Sequence, residues 1–308
     1  MAAEYVKQHI VPQVYLCRFA EKKKKGYHIG VRYENSGKIL LSQSSVRNIG
    51  FQNHIYDDKR RDDRKHWEHE LAKLYDPLYG RRLDEIIAKI TMIVDGFIVS
   101  EEDKALICKL IIVQFVRVPT FLNSLVEGGK DEGRKLSKSI RQIMGAELTA
   151  PKRRILDMFC QSPVGIRSLV LNTSFNEAKI DSFLRVLSKN AMCVIYNRTK
   201  MPFFTSDNPV IFYNISNQSF GLGDGGIARN DTVVLYPITP TILILIIPRA
   251  MLLDKYDEVN RRRFVLNDSD CSFVLQANML QVYHATNQVF FPPYYLQFLK
   301  DTHLQQDE

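Results

Sequence analysis

Between Ala105 and Val118 the chain reads "ALICKLIIVQFVRV", apolar nearly all round rather than along one stripe. A helix of that kind has no side suited to water and belongs in the middle of a structure, so the fold must pack other layers around it. Ser100 is placed to cap its start, with Asp103 three positions on and acids through the first turn. Pro119 is placed to end it. One face of this helix also carries Gln114 and Arg117, which are neighbours at a spacing of three. A buried guanidinium is costly unless paired, so a carboxylate or an anionic ligand is expected opposite it. The planar fork of arginine suits a two-point grip on an oxyanion.

The rest of the chain divides into two kinds of pattern. "VKQHIVPQVYLCRFA" at the start predicts a helix from Pro12, with His9 just before it in a loop and Gln13 in its first turn. "GYHIGVRYENSGKILLSQ" predicts two strands about a turn. From 65 to 94, Trp67, Leu71, Leu74, Leu78, Leu83, Ile86 and Ile90 recur at helical spacing, with a break at Pro77. After the apolar helix, "EGGKDEG" reads as a loop leading to more polar helices up to about residue 190. From 191 onward short β-rich runs alternate with turns, "GLGDGG" reads as a flexible loop, and "SDCSFVLQANMLQVYHA" returns to helix. The expected fold is α+β: a mainly helical part at about 1–190 packed on a mainly antiparallel sheet at about 191–308, closed by a C-terminal helix. No Pro/Ser-rich linker separates the parts, so one domain spanning 1–308 is expected.

A second anomaly is "FFTSDNPVIF". Ser206, Asp207 and Asn208 before Pro209 are turn formers for ordinary backbone-bonding reasons. A turn at the end of a buried strand also presents its side chains at a sheet edge, where chemistry is often placed. Asp207 is therefore a candidate partner for Arg117, a candidate general base, or a metal ligand together with His9. His9 lies in an apolar neighbourhood where its pKa can be tuned near neutrality. Asn278 is a polar exception within an apolar helix and is expected to face the same cavity.

Other patterns carry less. "HWEHE" is not the H-E-x-x-H order of zinc proteases, and it lies in a charged run. "GLGDGG" lacks the Lys-Ser/Thr of a phosphate loop, and there is no G-x-S-x-G elbow. Five scattered cysteines with no C-x-x-C read as reduced, mostly buried thiols. The apolar runs fall short of the about 20 residues that cross a bilayer, and the N-terminus has no charged-then-apolar signal pattern. A cytoplasmic location and no membrane partner are expected. Lys and Arg number 42 against 34 Asp and Glu, a formal charge of +8 gathered in clusters such as "DKRRDDRKH" and "NRRRF". That balance permits a nucleic acid or nucleotide as partner. The cofactor and the oligomeric state are not legible, and a metal-dependent enzyme using His9 and Asp207 is a further possibility.

Five segments taken in order, "QHIVPQVYLCRFA", "IVQFVRVP", "FFTSDNPV", "YPITP" and "ANMLQVYHA", carry a resemblance over nearly the whole chain. The chain resembles an uncharacterised, widespread bacterial family of domains of unknown function. Members of that family open with Q-H-x-V-P-x-x-Y-L-x-x-F and later show Q-x-x-R-x-P, T-S-D-x-P-V, P-x-x-P and a late asparagine. The resemblance implies no assigned activity. It does single out His9, Pro12, Gln13, Gln114, Arg117, Ser206, Asp207, Pro209 and Asn278 as motif positions. Where the family pattern has a second glutamate after "WEHELAKL", this chain has Tyr75 and Asp76, so no role carries over to Glu68 or Glu70.

Two readings follow. In the first the protein is a hydrolase acting on a nucleic acid or nucleotide phosphate. Arg117 would hold the anion, Gln13, Gln114, Ser206, Asn208 and Asn278 would position it, and His9 or Asp207 would move the proton. In the second the same residues form a buried structural network in a non-enzymatic interaction protein. Both require these side chains to meet around Arg117.

Overall fold

Proline at position 12, with φ of −57°, separates strand β1 (Lys7–His9) from helix α1 (Gln13–Leu16). His9 is thus the last residue of a short strand rather than part of a loop, because strand β5 (Phe51–Asn53) pairs with β1 antiparallel and sets His9 opposite Phe51. Between them lie β2 (Glu21–Lys23) and the hairpin of β3 (Gly26–Asn35) with β4 (Lys38–Ser45). The computed structural model describes residues 7–35, 38–92, 96–144, 149–154, 162–220 and 229–304. "GLGDGG" and Cys160 fall outside these.

The helical series begins with α2 (His66–Glu70), which passes through a π-helical turn over Leu71–Tyr75 and a 3-10 turn over Asp76–Tyr79 into α3 (Arg81–Thr91). The break expected at Pro77 is this change of helix type. Helix α4 (Glu101–Val116) is the apolar one; Ser100 Oγ accepts the Asp103 N–H at 3.1 Å, as the capping pattern predicts. Helix α5 (Pro119–Met144) follows at a bend of 59°. Pro119 has no N–H to give and its ring crowds the preceding turn, which accounts for the bend. The loop expected at "EGGKDEG" is helical instead, inside α5. The glycines mislead because one of them serves packing: a Cβ on Gly129 would lie 2.9 Å from Ile166 Cγ2 of α6 (Pro163–Ser174), so the helices close only without it. Helix α7 (Glu177–Leu187) ends this half, with Asn176 as its cap.

The second half supplies β6 (Ala191–Asn197), β7 (Thr205–Ser206), β8 (Ile211–Asn214), β9 (Ser219–Phe220), β10 (Thr232–Thr239), β11 (Ile242–Ile247) and β12 (Arg263–Leu266). Helix α8 (Cys271–His284), strand β13 (Gln288–Phe291) and helix α9 (Leu296–Leu304) complete the described chain. One sheet runs β12-β6-β11-β10-β8-β9, antiparallel throughout except where β12 meets β6. Both of its faces are covered, which explains why "TILILII" does not alternate with polar residues. Met192, Val194, Ile242, Ile244, Ile246, Val234 and Tyr236 face the main core with α4. Their neighbours Cys193, Ile195, Leu243, Val233 and Leu235 face a second core under Val274 and Ala277 of α8.

The other sheet runs β2-β3-β13-β7, with β4 on β3. It therefore takes strands from both halves, and the division expected near residue 191 is crossed by hydrogen bonds. Gly30 makes the β3–β13 pairing: a Cβ there would meet the Phe291 ring at 2.3 Å. The fold is α+β with antiparallel-dominated sheets and a C-terminal helix. Among the described residues no disulfide joins Cys17, Cys108, Cys193 or Cys271, and no single helix is long and apolar enough to cross a membrane.

Candidate functional site

Arg117 is the C-cap of α4, at the bend forced by Pro119. Its side chain is 1% exposed and turns inward. Nη1 donates to Asp76 Oδ1 at 2.8 Å and Nη2 donates to the His9 carbonyl at 2.8 Å. Tyr56 Oη donates to the Arg117 carbonyl, which the helix end leaves free, at 2.8 Å. The carboxylate expected opposite Arg117 is therefore present, but it is Asp76 and not Asp207. Burial pulls the guanidinium towards losing its charge. The Asp76 carboxylate and the Tyr56 and Tyr79 hydroxyls outweigh that pull, and Arg117 stays cationic.

Gln114, one turn back on α4, donates from Nε2 to the Ile10 carbonyl at 2.9 Å. The two polar side chains of the apolar helix thus hold the backbone at two successive residues, His9 and Ile10. Glu68 of α2 completes the group electrostatically. Burial raises its carboxyl to about 7, with Arg117 pulling down and Asp76 and Asp57 pushing up. Burial, then the adjacent Arg117 cation, lowers the His9 imidazole to about 4, so it is neutral at pH 7. Four buried side-chain atoms in this group have no protein partner: Arg117 Nε, His9 Nε2, Glu68 Oε2 and Gln114 Oε1. Buried polar atoms are nearly always bonded, so three such atoms beside the Arg117 cation, with its own Nε, make this the candidate site for a polar ligand or for water.

Asp207 belongs to a different network. Its Oδ1 accepts the Thr286 N–H at 2.8 Å, and its Oδ2 accepts those of Asn287 at 2.8 Å and Gln288 at 3.1 Å. Burial still raises its carboxyl to about 6 against those donors. Asn278 accepts the Phe204 N–H at 2.7 Å and donates to the Pro202 carbonyl at 2.9 Å. Ser206 Oγ donates to Gln281 Oε1 at 2.8 Å, and Gln281 Nε2 donates to the Pro209 carbonyl at 2.9 Å. Asn208 Nδ2 donates to Thr120 Oγ1 at 3.2 Å and lies 3.4 Å from His284 Nε2. These side chains fasten the β7 turn to α8 and to the approach to β13. The buried turn formers satisfy backbone groups, the simpler of their two expected uses.

The candidate residues thus fall into two sets: His9, Gln114 and Arg117 in one, and Ser206, Asp207, Asn208 and Asn278 in the other. Gln13 opens α1, half-buried. The sets are joined through backbone. The segment that Asp207 holds includes Gln288, whose Oε1 accepts the Gly50 N–H at 3.0 Å, and the Gly50 carbonyl accepts the Ile10 N–H at 2.9 Å. Asp76 and Glu68 were the residues sequence reasoning missed. The only signal for them was their place in the "WEHELAKLYD" segment, where a glutamate appeared to be missing. Among the described residues no three His, Cys, Asp or Glu side chains gather at metal-binding spacing.

Gln8, next to His9, extends the site outward. Its Oε1 accepts the Tyr56 N–H at 2.7 Å and its Nε2 donates to Asp57 Oδ1 at 2.7 Å. Asp57 Oδ2 pairs with His54 Nδ1 at 2.7 Å. Asp57 is thus both a contributor to the Glu68 environment and a wall of a cavity of about 600 Å³ on the neighbouring surface.

A family profile described as "Protein of unknown function (DUF4238)" matches residues 7–293. No curated protein and no solved structure matches the chain.

Proposed function

The chain belongs to this family of unknown function, and we propose that it is a hydrolase of phosphate esters that acts on a nucleic acid or a nucleotide. One observation carries the reading: a carboxyl raised to about 7, Glu68, shares a fixed positive field with three other buried polar atoms that no protein group satisfies. A carboxyl poised near neutrality is what general-base work at pH 7 requires. In the reaction Glu68 takes a proton from water as the water oxygen bonds to phosphorus. The ester P–O bond breaks, and the proton ends on the leaving oxygen. Arg117 stabilises the negative charge that develops, and Asp76 holds Arg117 in place. His9, neutral at this pH, offers one ring nitrogen to orient water. Asp207 acts at one remove, by fixing the β13 approach whose Gln288 supports Gly50 and hence the His9–Ile10 backbone.

The test is release of phosphate or of nucleotide from a panel of nucleotides and single- and double-stranded nucleic acids. The wild type is compared with Glu68→Gln and His9→Gln, each checked for an unchanged melting temperature. Loss of about 10²- to 10⁴-fold in kcat for Glu68→Gln, with KM little changed, is the expected result. Because Glu68 must be ionised to accept the proton, kcat/KM should rise with pH through about 7 and level off above it. Turnover that Glu68→Gln leaves intact refutes the assignment.

A second reading is favoured by a separate observation. Asp207 and Asn278 spend their polar atoms on backbone groups, and the guanidinium ends of Arg117 bond within the chain. On that reading the protein is a non-enzymatic interaction protein whose polar network is structural. It predicts no turnover on any panel member, together with a large loss of stability for Arg117→Ala.

A further inference from the structure

The half-open cavity of about 600 Å³ that Asp57 lines has the volume of a small-molecule pocket. Its walls come from β5, the loop after it, α5 and the first residues of α6. Lys59, Arg64 and Arg167 line it, and among the described residues none of the three pairs with a carboxylate. Asp57 is the one acid in the wall, and it is already engaged by Gln8 and His54. Three cations facing one occupied carboxylate leave the cavity strongly positive.

Arg167 and the loop that bears the other two cations are anchored. Asp58, 1% exposed, accepts from Ser168 Oγ of α6 at 2.9 Å, and its N–H donates to the Arg64 carbonyl at 2.9 Å, closing the loop that bears Lys59 and Arg64. Arg167 is held on the Ile55 carbonyl and reaches Asn123 Oδ1 at 3.4 Å. The α6 N-terminus, at Pro163 and Val164, opens into the same space and adds the positive end of its dipole. The rest of the lining is mixed: Ile55, Pro163 and Val164 give apolar surface, and Gln52 and Asn53 of β5 give amides. The cations thus suit a phosphate, and the β5 amides suit a flat, hydrogen-bonding ring.

We infer that this cavity binds a nucleoside phosphate, with the phosphate on Lys59, Arg64 and Arg167 and the base on the amides of Gln52 and Asn53. The inference rests on the hydrolase reading for its biological sense, and it places the ligand against Asp57, which Gln8 links to the strand that bears His9. The ligand is either a free nucleotide or a terminal unit of a strand; both present the same phosphate and base.

The test is calorimetric titration of the full-length protein with the four common nucleoside monophosphates, inorganic phosphate and a short single-stranded oligonucleotide. Lys59→Ala/Arg64→Ala is the comparison, since both side chains are exposed and their removal leaves the loop closure at Asp58 intact. At least one monophosphate should bind more tightly than inorganic phosphate, and the double variant should weaken it by about tenfold or more. Binding should also weaken as salt rises. A strand that binds through its end, competing with the monophosphate, identifies the polymer as the source; a strand that does not compete identifies the free nucleotide. Equal affinity in the double variant, no binding by the wild type, or inorganic phosphate binding as well as any nucleotide overturns the inference. Hydrolysis without this binding discards the cavity and leaves the Glu68 reading standing, whereas binding without hydrolysis does the reverse.

Discussion

Replacing Asp76 with alanine isolates the contact on which the Arg117 site depends. The substitution leaves a guanidinium that is 1% exposed with the His9 carbonyl as its remaining bond. Breaking a fully buried ion pair costs about 3–5 kcal/mol, whereas exposed pairs are worth about 0–1 kcal/mol. The Asp76 side chain is 34% exposed, so water can replace part of what the carboxylate supplied. The expected cost therefore lies between those limits, at roughly 2–4 kcal/mol. Unfolding entropy of about 2.1 cal/mol/K per residue over 308 residues converts each kcal/mol into roughly 1.5 °C, so the melting temperature should fall by about 3–6 °C. The assay is differential scanning calorimetry on Asp76→Ala, Arg117→Met and the double variant. Removal of the cation makes removal of its partner cheap, so the double variant should melt close to Arg117→Met alone, a coupling of about 2–4 kcal/mol. An Asp76→Ala melt within about 0.5 kcal/mol of wild type, or costs that simply add, would refute the claim that Arg117 is held by this carboxylate.

Other perturbations follow from the same geometry. His9 has a folded pKa near 4 against 6.5 unfolded, so it contributes stability above pH 6.5 that is lost as pH falls from 6.5 towards 4. Denaturant titrations of His9→Gln should show a shallower loss over that window than wild type; parallel curves would mean that the imidazole is not buried neutral. Asp207→Asn should cost about 1–3 kcal/mol in urea unfolding, because an amide NH₂ would face one of the N–H donors that the carboxylate accepts. Asp207 itself, raised from 3.8 to about 6, favours the folded state below pH 3.8 and loses that advantage as pH rises through 6, so the penalty of the variant should be largest in acid. Gly30→Ala should cost about 1–3 kcal/mol or more in the same assay, since Phe291 is fully buried and its ring has nowhere to retreat. A neutral outcome there would contradict the close approach of β3 and β13.

Much of this was legible in the chain, for identifiable reasons. Gln114 and Arg117 stood out because an all-apolar helix leaves no ordinary explanation for two polar residues on one face. The alternation-free strands, the Ser100 cap and the α+β class followed from local rules in the same way. Asp76 was hidden because it sits where one helix type gives way to another, and no periodic pattern shows which way such a residue points. Glu68 was set aside since a single acid in "HWEHE" looks like a solvated face; only packing of α2 reveals that it is partly buried. Asp207 and Asn278 looked like site residues because a buried turn former has the same sequence signature whether it serves a ligand or the backbone. The error at "EGGKDEG" has the same origin, as glycine read locally means a break while Gly129 is there for the helix crossing it.

The pairing of β13 with β3 has a bearing on how the molecule is made. Gln288 lies against Tyr33 and Phe291 against Gly30, so a strand from near the start of the chain waits for one from near its end. Contacts so distant in sequence close late and slowly, and until then the hairpin's edge is uncovered. A nascent chain would expose that edge until residues 288–291 have been made. Removing the last strand should leave the opening hairpin as the aggregation-prone element, far from the cut itself.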